Sequence, residues 1–299
     1  MGLRESRDRA RFKHLFLNEG WTGDRVLSEL NYRLGYQLDP VVPEIPPNDI
    51  LRDHIGIHRQ KQAGLSFVGA SILRGRITGE QLEAAADLAV RYGSGGLRAT
   101  VMQNLLFIDV PNENVVHLAQ ELNKIDLHVD GSSFWRGAIS CTGTEFCKLA
   151  VTETKTFTRW LVEEMELRIP EFDQQLKLHV TGCSNSCGQH WIADIGIEGK
   201  KVKHDGKLVD AFYFCIGGAV GQYARTARPL GYRCIASEVP DAIERLLRSY
   251  LTNRIAGENL REWFSRHDDA RLRTQLAGEA FDPVVRDLPA GPPPRGVAD

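Results

Sequence analysis

The spacing of apolar residues predicts a mixed α/β unit in the first half of the chain. The run from Leu65 to Leu73 is typical of a strand, and EQLEAAADLAVRYG at 80–93 is typical of an amphipathic helix. Thr78 and Gln81 form a capping-box pattern at the start of this helix. Further predicted elements follow: strands over 97–101 and 105–110, a helix over 113–124 and a short strand, DLHV, over 126–129. This β-α-β-β-α-β order is typical of a ferredoxin-like unit.

A second alternation of strands and helices extends from about residue 131 to 265. It is predicted to contain a helix from Cys147 to Leu167 and strands over 176–180, 191–199 and 211–218. The last predicted helix runs from Asp241 to Asn253. It places four apolar residues on one face: Ile243, Leu246, Leu247 and Leu251. The fold class predicted from both units is α+β.

The flanking segments differ in composition from these two units. Two helix-prone stretches, Arg4–Leu17 and Asp24–Leu34, precede DPVVPEIPPND at 39–49, whose prolines predict a stiff linker. The proline- and glycine-rich end of the chain is expected to be a disordered tail. We therefore predict four regions: a lead-in and linker over 1–50, a ferredoxin-like half-domain over 51–130, a mixed α/β domain over 131–282 and a tail over 283–299.

Charge and hydropathy exclude several classes of protein. The 299 residues include 37 Lys and Arg against 39 Asp and Glu, a formal net charge of −2. This balance disfavours nucleic acid or an anionic membrane as a partner. No apolar run approaches the roughly 20 residues that span a bilayer. The first residues lack the apolar core of a secretory signal, so a cytoplasmic location is expected.

Six cysteines supply the candidate chemistry. Four form two close pairs in turn-rich loops: Cys141 and Cys147 in CTGTEFC, and Cys183 and Cys187 in GCSNSCG. Small and turn-forming residues let the backbone direct several sulfurs at one centre. Four thiolates suit zinc or an iron–sulfur cluster. Four unrelated free cysteines are the alternative. Cys215 and Cys234 lie in apolar segments and are expected to be buried small hydrophobic residues.

These motifs resemble the cofactor signature of the sirohaem-dependent nitrite and sulfite reductases. The resemblance rests on CTGTEFC with the following ETK, and on TGCSNSCGQHWIADIGIEG. GGLRATVMQN and the apolar strand after it resemble the half-domain that precedes this signature. Together they cover roughly residues 50–265, and the first motif is more similar to that of the ferredoxin-dependent nitrite reductases.

The resemblance implies a cofactor set and a reaction. The ligands of a 4Fe-4S cluster would be Cys141, Cys147, Cys183 and Cys187. Cys187 would also bridge to the sirohaem iron and is the implied catalytic residue. Nitrite would be reduced to ammonium with electrons from ferredoxin or a similar one-electron donor. Sulfite reduction to sulfide is the alternative, and a related corrin-pathway monooxygenase is a weaker one. The domain over 131–282 would bind both cofactors.

Sirohaem is rich in carboxylates, so its pocket is expected to contain cations or hydrogen-bond donors. The candidates are Arg98, Gln103, Asn104, Arg136 and Asn185, with Arg74 and Arg76 as weaker ones. Each also has a structural interpretation as a solvated, turn or capping residue. His190 is expected to be a hydrogen-bonded structural residue, because four cysteines already complete the cluster.

The family's full enzymes are expected to contain two related halves, and this chain has only one copy of each unit. It therefore resembles a C-terminal half whose N-terminal half or partner subunit is missing. The basic residues that would bind the anion cannot be located in it. The alternatives are a non-catalytic iron–sulfur electron-transfer subunit, a metal-binding subunit with structural zinc, and an inactive fragment.

Overall fold

The computed structural model describes Leu15, residues 19–39 and residues 53–281, apart from the side chain of Gln222. Nearly all of the predicted helix over 4–17, most of the proline-rich linker and the predicted tail lie outside these residues. Within the described ranges, no helix combines the length and the apolar character that crossing a bilayer requires.

The chain divides into two compact units, residues 1–49 and 50–299. The first contains helix α1 (Gly23–Leu34), which confirms the helix predicted from Asp24. Thr22 Oγ1 accepts the N–H of Arg25 over 3.3 Å at its start. Gly35 ends it in the left-handed conformation that glycine adopts readily.

The second unit begins with an antiparallel four-stranded sheet in the order β1-β2-β4-β3. Helices α2 and α3 pack on it, and their apolar residues join those of β2 and β4 in one core. Thr78 and Gln81 cap α2 reciprocally, as the sequence predicts. The elements are β1 (Gly56–Arg59), β2 (Leu65–Ala70), α2 (Gly79–Tyr92), β3 (Leu97–Ala99), β4 (Leu105–Pro111) and α3 (Val115–Lys124).

One edge of this sheet differs from the prediction. The predicted strand DLHV over 126–129 is reduced to a single bridge, in which the N–H of Ser71 donates to His128 O over 2.7 Å. The strand β1 instead pairs with β2 along that edge. The pattern does not reveal β1, because GIHR is short and largely polar. The α+β fold class is confirmed.

A five-stranded sheet in the order β5-β6-β7-β8-β9 follows. Strands β5, β6 and β7 are parallel, whereas β8 and β9 are added antiparallel. The large core of the chain lies between this sheet and its helices. The elements are α4 (Ser133–Gly137), β5 (Ala138–Ser140), α5 (Lys155–Arg168), β6 (Leu178–Thr181), β7 (Ile195–His204), β8 (Lys207–Ile216), β9 (Arg228–Ile235), α6 (Val239–Asn253), α7 (Leu260–Arg266) and α8 (Asp269–Ala277).

The helix predicted from Cys147 begins only at Lys155. The preceding residues form a loop, because the N–H of Val151 donates across to Gly182 O over 2.9 Å instead of making a helical bond. The carboxylate of Glu153 then accepts the N–H groups of Thr156 and Phe157, which starts the helix. The strand predicted from Trp191 likewise begins later, after a short 3-10 turn at His190–Ile192.

Candidate functional site

The two cysteine pairs lie in neighbouring loops. The first cysteine loop (residues 141–152) follows β5, and the second cysteine loop (residues 182–189) follows β6. Since β5 and β6 are parallel neighbours, both loops leave the same edge of the sheet. The N–H of Cys141 donates to Val180 O over 3.0 Å, and Val151 donates to Gly182 O. The topology therefore joins segments that are distant in sequence.

Glycines allow these loops to approach each other. A Cβ atom on Gly182 would lie 2.9 Å from the carbonyl oxygen of Thr152 in the first cysteine loop. A Cβ atom on Gly188 would lie 2.3 Å from Val180 O. Any larger residue at either position would push the chain away from its neighbour, so the glycines set how closely the cysteine-bearing segments pack.

Two of the sulfurs already accept hydrogen bonds. The amide of Gly182 donates to Cys141 Sγ over 3.1 Å, and Asn185 Nδ2 lies 3.6 Å from Cys183 Sγ. Donors of this kind stabilise a thiolate and tune the potential of an iron–sulfur cluster. Cys141 is buried, Cys147 and Cys183 are partly buried, and Cys187 is exposed. The four cysteines therefore differ in solvent exposure, and two of their sulfurs have hydrogen-bond donors beside them.

A partly buried lysine lies behind the first cysteine loop. Lys155 Nζ donates to Ser140 O over 3.0 Å and also to Arg74 O. Arg74 Nη1 in turn donates to Lys155 O over 2.8 Å. Burial lowers the pKa of Lys155, and the negative charge of a Cys141 thiolate opposes that shift. The ETK motif contains this lysine, but sequence reasoning did not select it as a site residue.

Gln103 and Asn104 have different surroundings. Gln103 Nε2 donates to Ser140 O over 2.9 Å, immediately before Cys141. Asn104 is 3% exposed, and its Oδ1 accepts the N–H of Ile72 over 2.8 Å, while its buried Nδ2 has no hydrogen-bond partner among the described residues. Gln103 thus lies beside the first cysteine loop. Asn104 instead connects the turn between β3 and β4 to the segment that follows β2.

The candidate arginines are dispersed. Arg136 forms a bidentate ion pair with Asp53, with Nε to Oδ2 at 2.8 Å and Nη2 to Oδ1 at 2.9 Å. Arg76 pairs with Glu145 of the first cysteine loop. Arg98 is exposed on the edge strand β3. Among the interactions described for residues 53–281, none joins Arg98 to either cysteine loop.

The remaining cysteines do not belong to this site. Cys215 and Cys234 are 1% and 7% exposed within the five-stranded sheet, as expected for small hydrophobic residues. Burial raises the pKa of Cys234 to about 12, so its thiol stays protonated at neutral pH. A protonated thiol is a poor metal ligand.

The hydrogen-bond donors around the described cysteine sulfurs fit an iron–sulfur cluster. Across 19–39 and 53–281, no group of three or more His, Cys, Asp or Glu side chains is close enough to hold one ion. A structural zinc ion would need four ligands around one point, each sulfur about 2.3 Å from the metal. A 4Fe-4S cluster takes each thiolate on a separate iron and so accepts a wider ring of ligands. Hydrogen bonds to Cys141 and Cys183 also suit such a cluster.

Two domain families match the chain in the order of its two sheets. The nitrite/sulfite reductase ferredoxin-like half domain matches residues 58–125, and the nitrite and sulphite reductase 4Fe-4S domain matches residues 131–282. The second match includes both cysteine loops.

Known proteins with these domains are similar over most of the chain. An assimilatory ferredoxin-dependent nitrite reductase of Haloferax mediterranei is 36% identical over 88% of this chain and 43% of its own length. A ferredoxin sulfite reductase of Mycolicibacterium paratuberculosis is 36% identical over 91% of the chain and 50% of its own. The ferredoxin–nitrite reductase of Synechococcus elongatus is 34% identical, with coverages of 82% and 47%.

A solved structure agrees with the sequence comparison. The NirA protein of Mycobacterium tuberculosis superimposes with a TM-score of 0.81 at 33% identity, over 90% of this chain and 50% of that one. The chain spans about half the length of the curated relatives it matches. With both domain families matched and the cysteine loops adjacent, the chain belongs to the nitrite and sulfite reductase family.

Proposed function

We propose that this chain is the cofactor-bearing half of a nitrite reductase that forms ammonium with electrons from ferredoxin. Nitrite and sulfite reductases of this family carry sirohaem and a 4Fe-4S cluster. The observation that carries the proposal is the contact between the two cysteine loops, where Gly182 N–H donates to Cys141 Sγ over 3.1 Å. The proposed location is the cytoplasm, where reducing conditions keep such thiols free.

In this proposal the cluster ligands are Cys141, Cys147, Cys183 and Cys187. When bound, the cluster would supply one-electron transfer, and the sirohaem would supply an iron that binds and reduces the anion. Cys187 is proposed as the bridging ligand, and its exposure supports that role because a bridging sulfur must reach a group outside the loop. Gly182 and Asn185 hold N–H donors at two other sulfurs, and such donors would tune the potential of a bound cluster.

The proposed sirohaem contacts are Arg98, Gln103, Asn104, Arg136 and Asn185. Gln103 and Asn185 have the firmest support, because each contacts a cysteine or its immediate neighbour. Arg136 would have to bind a carboxylate of the cofactor while paired with Asp53. Asn104 has a buried Nδ2 free to donate, and Arg98 is exposed. Each of these five residues supplies a donor that matches a carboxylate-rich group.

A second half is part of the proposal. The matched relatives are about twice as long as this chain, and we infer that a second half or partner subunit provides the basic groups that bind the anion. Phe146 and Leu149 support this, because these first-loop residues are 74% and 69% exposed. Large apolar side chains grouped at a surface are typical of an interface that another chain or domain covers.

Reduction of sulfite to sulfide is the second candidate function. The relative named as a sulfite reductase and the one named as a nitrite reductase are both 36% identical to this chain. Overall similarity therefore does not favour one anion. A non-catalytic iron–sulfur electron-transfer subunit is a third candidate, since the chain covers only about half the length of the named reductases.

Turnover measurements test the proposal. The full chain would be produced with sirohaem synthesis and assayed anaerobically with reduced methyl viologen for ammonium from nitrite and sulfide from sulfite. We expect a low rate of ammonium formation, because the second half is not supplied, but one that exceeds sulfide formation, is lost in Cys187→Ser and is retained in Cys215→Ser. More sulfide than ammonium would favour the sulfite reductase. A chain that binds both cofactors and forms neither product would contradict independent catalysis.

A further inference from the structure

A chain of three polar side chains, two of them buried, leads from the second cysteine loop to the five-stranded sheet. Ser186 lies between Cys183 and Cys187, and its Oγ is 2.9 Å from Nδ1 of His190. His190 Nε2 lies 3.1 Å from Glu198 Oε2, which is within ion-pair distance, although the two atoms do not meet hydrogen-bond geometry. His190 is fully buried, and Glu198 is 6% exposed. Burying polar groups costs free energy, so we expect a structural role that offsets this cost.

The backbone of the second cysteine loop is in a conformation that needs support. Ser186 has φ +60° and Gln189 has φ +58°, both in the left-handed region that residues other than glycine rarely occupy. Such conformations persist only where the surrounding structure determines them. The backbone bonds within the loop are local, from Ser186 N to Cys183 O at 3.4 Å and from Gln189 N to Ser186 O at 2.8 Å. The Ser186 side chain adds an attachment outside the loop.

Glu198 provides a rigid anchor for this attachment. It lies within β7, where its register partners are Thr181 of β6 and Tyr213 of β8. The turn that carries His190 rests directly on the same strand, because a Cβ atom on Gly196 would lie 2.1 Å from His190 O. The carboxylate of Glu198 is largely buried, and the His190 ring is one of the polar groups close to it. The imidazole is therefore held on one side by the sheet.

We propose that His190 is a positioning residue for the second cysteine loop. It acts through Ser186 and is anchored by Glu198, so that Cys183 and Cys187 are held at a fixed separation before any cluster binds. The part of this inference that concerns a cluster rests on the function proposed above. Hydrogen-bonding groups behind metal ligands orient those ligands in the same way.

Matched variants of the full chain test this inference. His190→Leu removes both ring nitrogens, whereas His190→Gln keeps one donor and one acceptor. Ser186→Ala removes only the contact on the loop side, and His117→Leu is a control at an exposed position on α3. The first readout is amide hydrogen exchange over residues 182–190 of the metal-free chain. The second is iron retention against a chelator after cluster reconstitution, together with the electron paramagnetic resonance spectrum of the reduced cluster.

We expect faster exchange confined to residues 182–190 in His190→Leu and Ser186→Ala, with most of the protection retained in His190→Gln and His117→Leu. Iron affinity should fall by about 10- to 100-fold in His190→Leu, the usual loss when a group behind a metal ligand is removed. The spectrum of the reduced cluster should change in Ser186→Ala, which a purely structural role elsewhere in the fold would not produce.

The results separate this inference from the proposed function. Unchanged exchange in both His190→Leu and Ser186→Ala would overturn it, whether or not a cluster binds. If His190→Leu loosens the whole sheet, Ser186→Ala decides, because that substitution leaves the buried core intact. A wild-type chain that takes up no iron would contradict the proposed function, while exchange over 182–190 would still support or overturn the positioning role.

Discussion

The amide of Gly182 donates a hydrogen bond to Cys141 Sγ over 3.1 Å, across 41 positions of sequence. The bond exists because β5 and β6 are parallel neighbours and end together, which places the second cysteine loop against the first. A backbone donor at a ligating sulfur tunes the potential of an iron–sulfur cluster. The parallel pairing of β5 and β6 thus gives a sulfur of the first cysteine loop a hydrogen-bond donor from the backbone of the second cysteine loop.

Replacing Gly182 should separate the loops. In Gly182→Ala the new Cβ would lie 2.9 Å from Thr152 O and 3.3 Å from the Cβ of Ala150. We expect a loss of about 1–3 kcal/mol of unfolding free energy, as for other overpacked sites, together with lower iron retention. Urea denaturation of the metal-free chain measures the first effect, and iron content measures the second.

Gly79→Ala is the matched control, because nothing lies within 4 Å of a Cβ atom at that position, the first residue of α2. We expect it to leave the urea midpoint unchanged or slightly raised, since alanine is the better helix former. Equal midpoints for the two alanine variants would show that the loops do not depend on the close approach at Gly182.

The elements that the sequence predicts well are those determined by nearby residues. The start of α2 depends on Thr78 and Gln81, three positions apart, and it is found where the pattern predicts it. The prediction failed where a distant partner decides. The helix expected from Cys147 is displaced because Val151 bonds to Gly182, and the strand over 126–129 is reduced to a bridge while β1 pairs along the same edge.

In the candidate site, too, the features set by nearby residues are predicted and those set by distant residues are not. Turn-forming residues around the cysteines predict loops that hold sulfur ligands, and the structure places the two loops together. The sequence does not reveal that Lys155 is partly buried against two carbonyl groups, or that His190 lies beside Glu198 of β7. Both relationships depend on which strands become neighbours, and periodicity in one segment carries no information about that.

Lys155 should contribute to stability through its carbonyl contacts. Lys155→Met keeps the length of the side chain and removes the donor to Arg74 O and Ser140 O. Ser140 O still accepts from Gln103, so the main loss is at Arg74. We expect the unfolding free energy to fall by about 1–3 kcal/mol, the cost of leaving a buried polar group unpaired.

The control for this lysine is Lys203→Met, at an exposed position on β7. Surface substitutions of this kind usually change stability by no more than about 0.5 kcal/mol. Urea denaturation of both variants at neutral pH gives the comparison. A Lys155→Met chain as stable as Lys203→Met would mean that the lysine contacts are energetically neutral.

His179 should make the chain less stable in mild acid. Burial lowers the pKa of His179 to about 4, from 6.5. The folded chain therefore keeps the ring neutral while the unfolded chain takes up a proton below about pH 6.5. The contribution is complete above pH 6.5 and is lost as the pH falls towards 4. Between pH 7 and pH 5 the loss should be about 2 kcal/mol.

His179→Asn is the variant that isolates this contribution. Its amide can donate to Gln189 O, as the ring does over 3.0 Å, but it does not titrate. Urea denaturation at pH 7 and pH 5 should show a smaller loss of stability in the variant than in the wild type. The same loss in both would assign the acid sensitivity to other groups.

Variants of the Arg136–Asp53 ion pair can distinguish a structural role of Arg136 from a role in binding sirohaem. Both residues are partly or largely shielded, with side chains 33% and 14% exposed. A double-mutant cycle with Arg136→Gln and Asp53→Asn should give a coupling of about 0.5–3 kcal/mol in unfolding free energy. If Arg136 also binds a sirohaem carboxylate, cofactor content should fall further in Arg136→Gln than in Asp53→Asn. Equal sirohaem content in the two variants would remove Arg136 from the proposed contacts.

We propose that the two cysteine loops hold a 4Fe-4S cluster that is linked to sirohaem through Cys187, and one measurement tests this most directly. An anaerobic absorption spectrum with iron, sulfide and zinc analysis would be recorded for the full chain produced with sirohaem synthesis. Cys187→Ser and Cys215→Ser would be compared in parallel.

We expect haem bands and iron with sulfide in the wild type and in Cys215→Ser, and altered haem bands in Cys187→Ser. Haem bands that survive in Cys187→Ser but disappear in Cys215→Ser would show that the ligand assignment is wrong. Zinc without iron in the wild-type chain would contradict the account altogether.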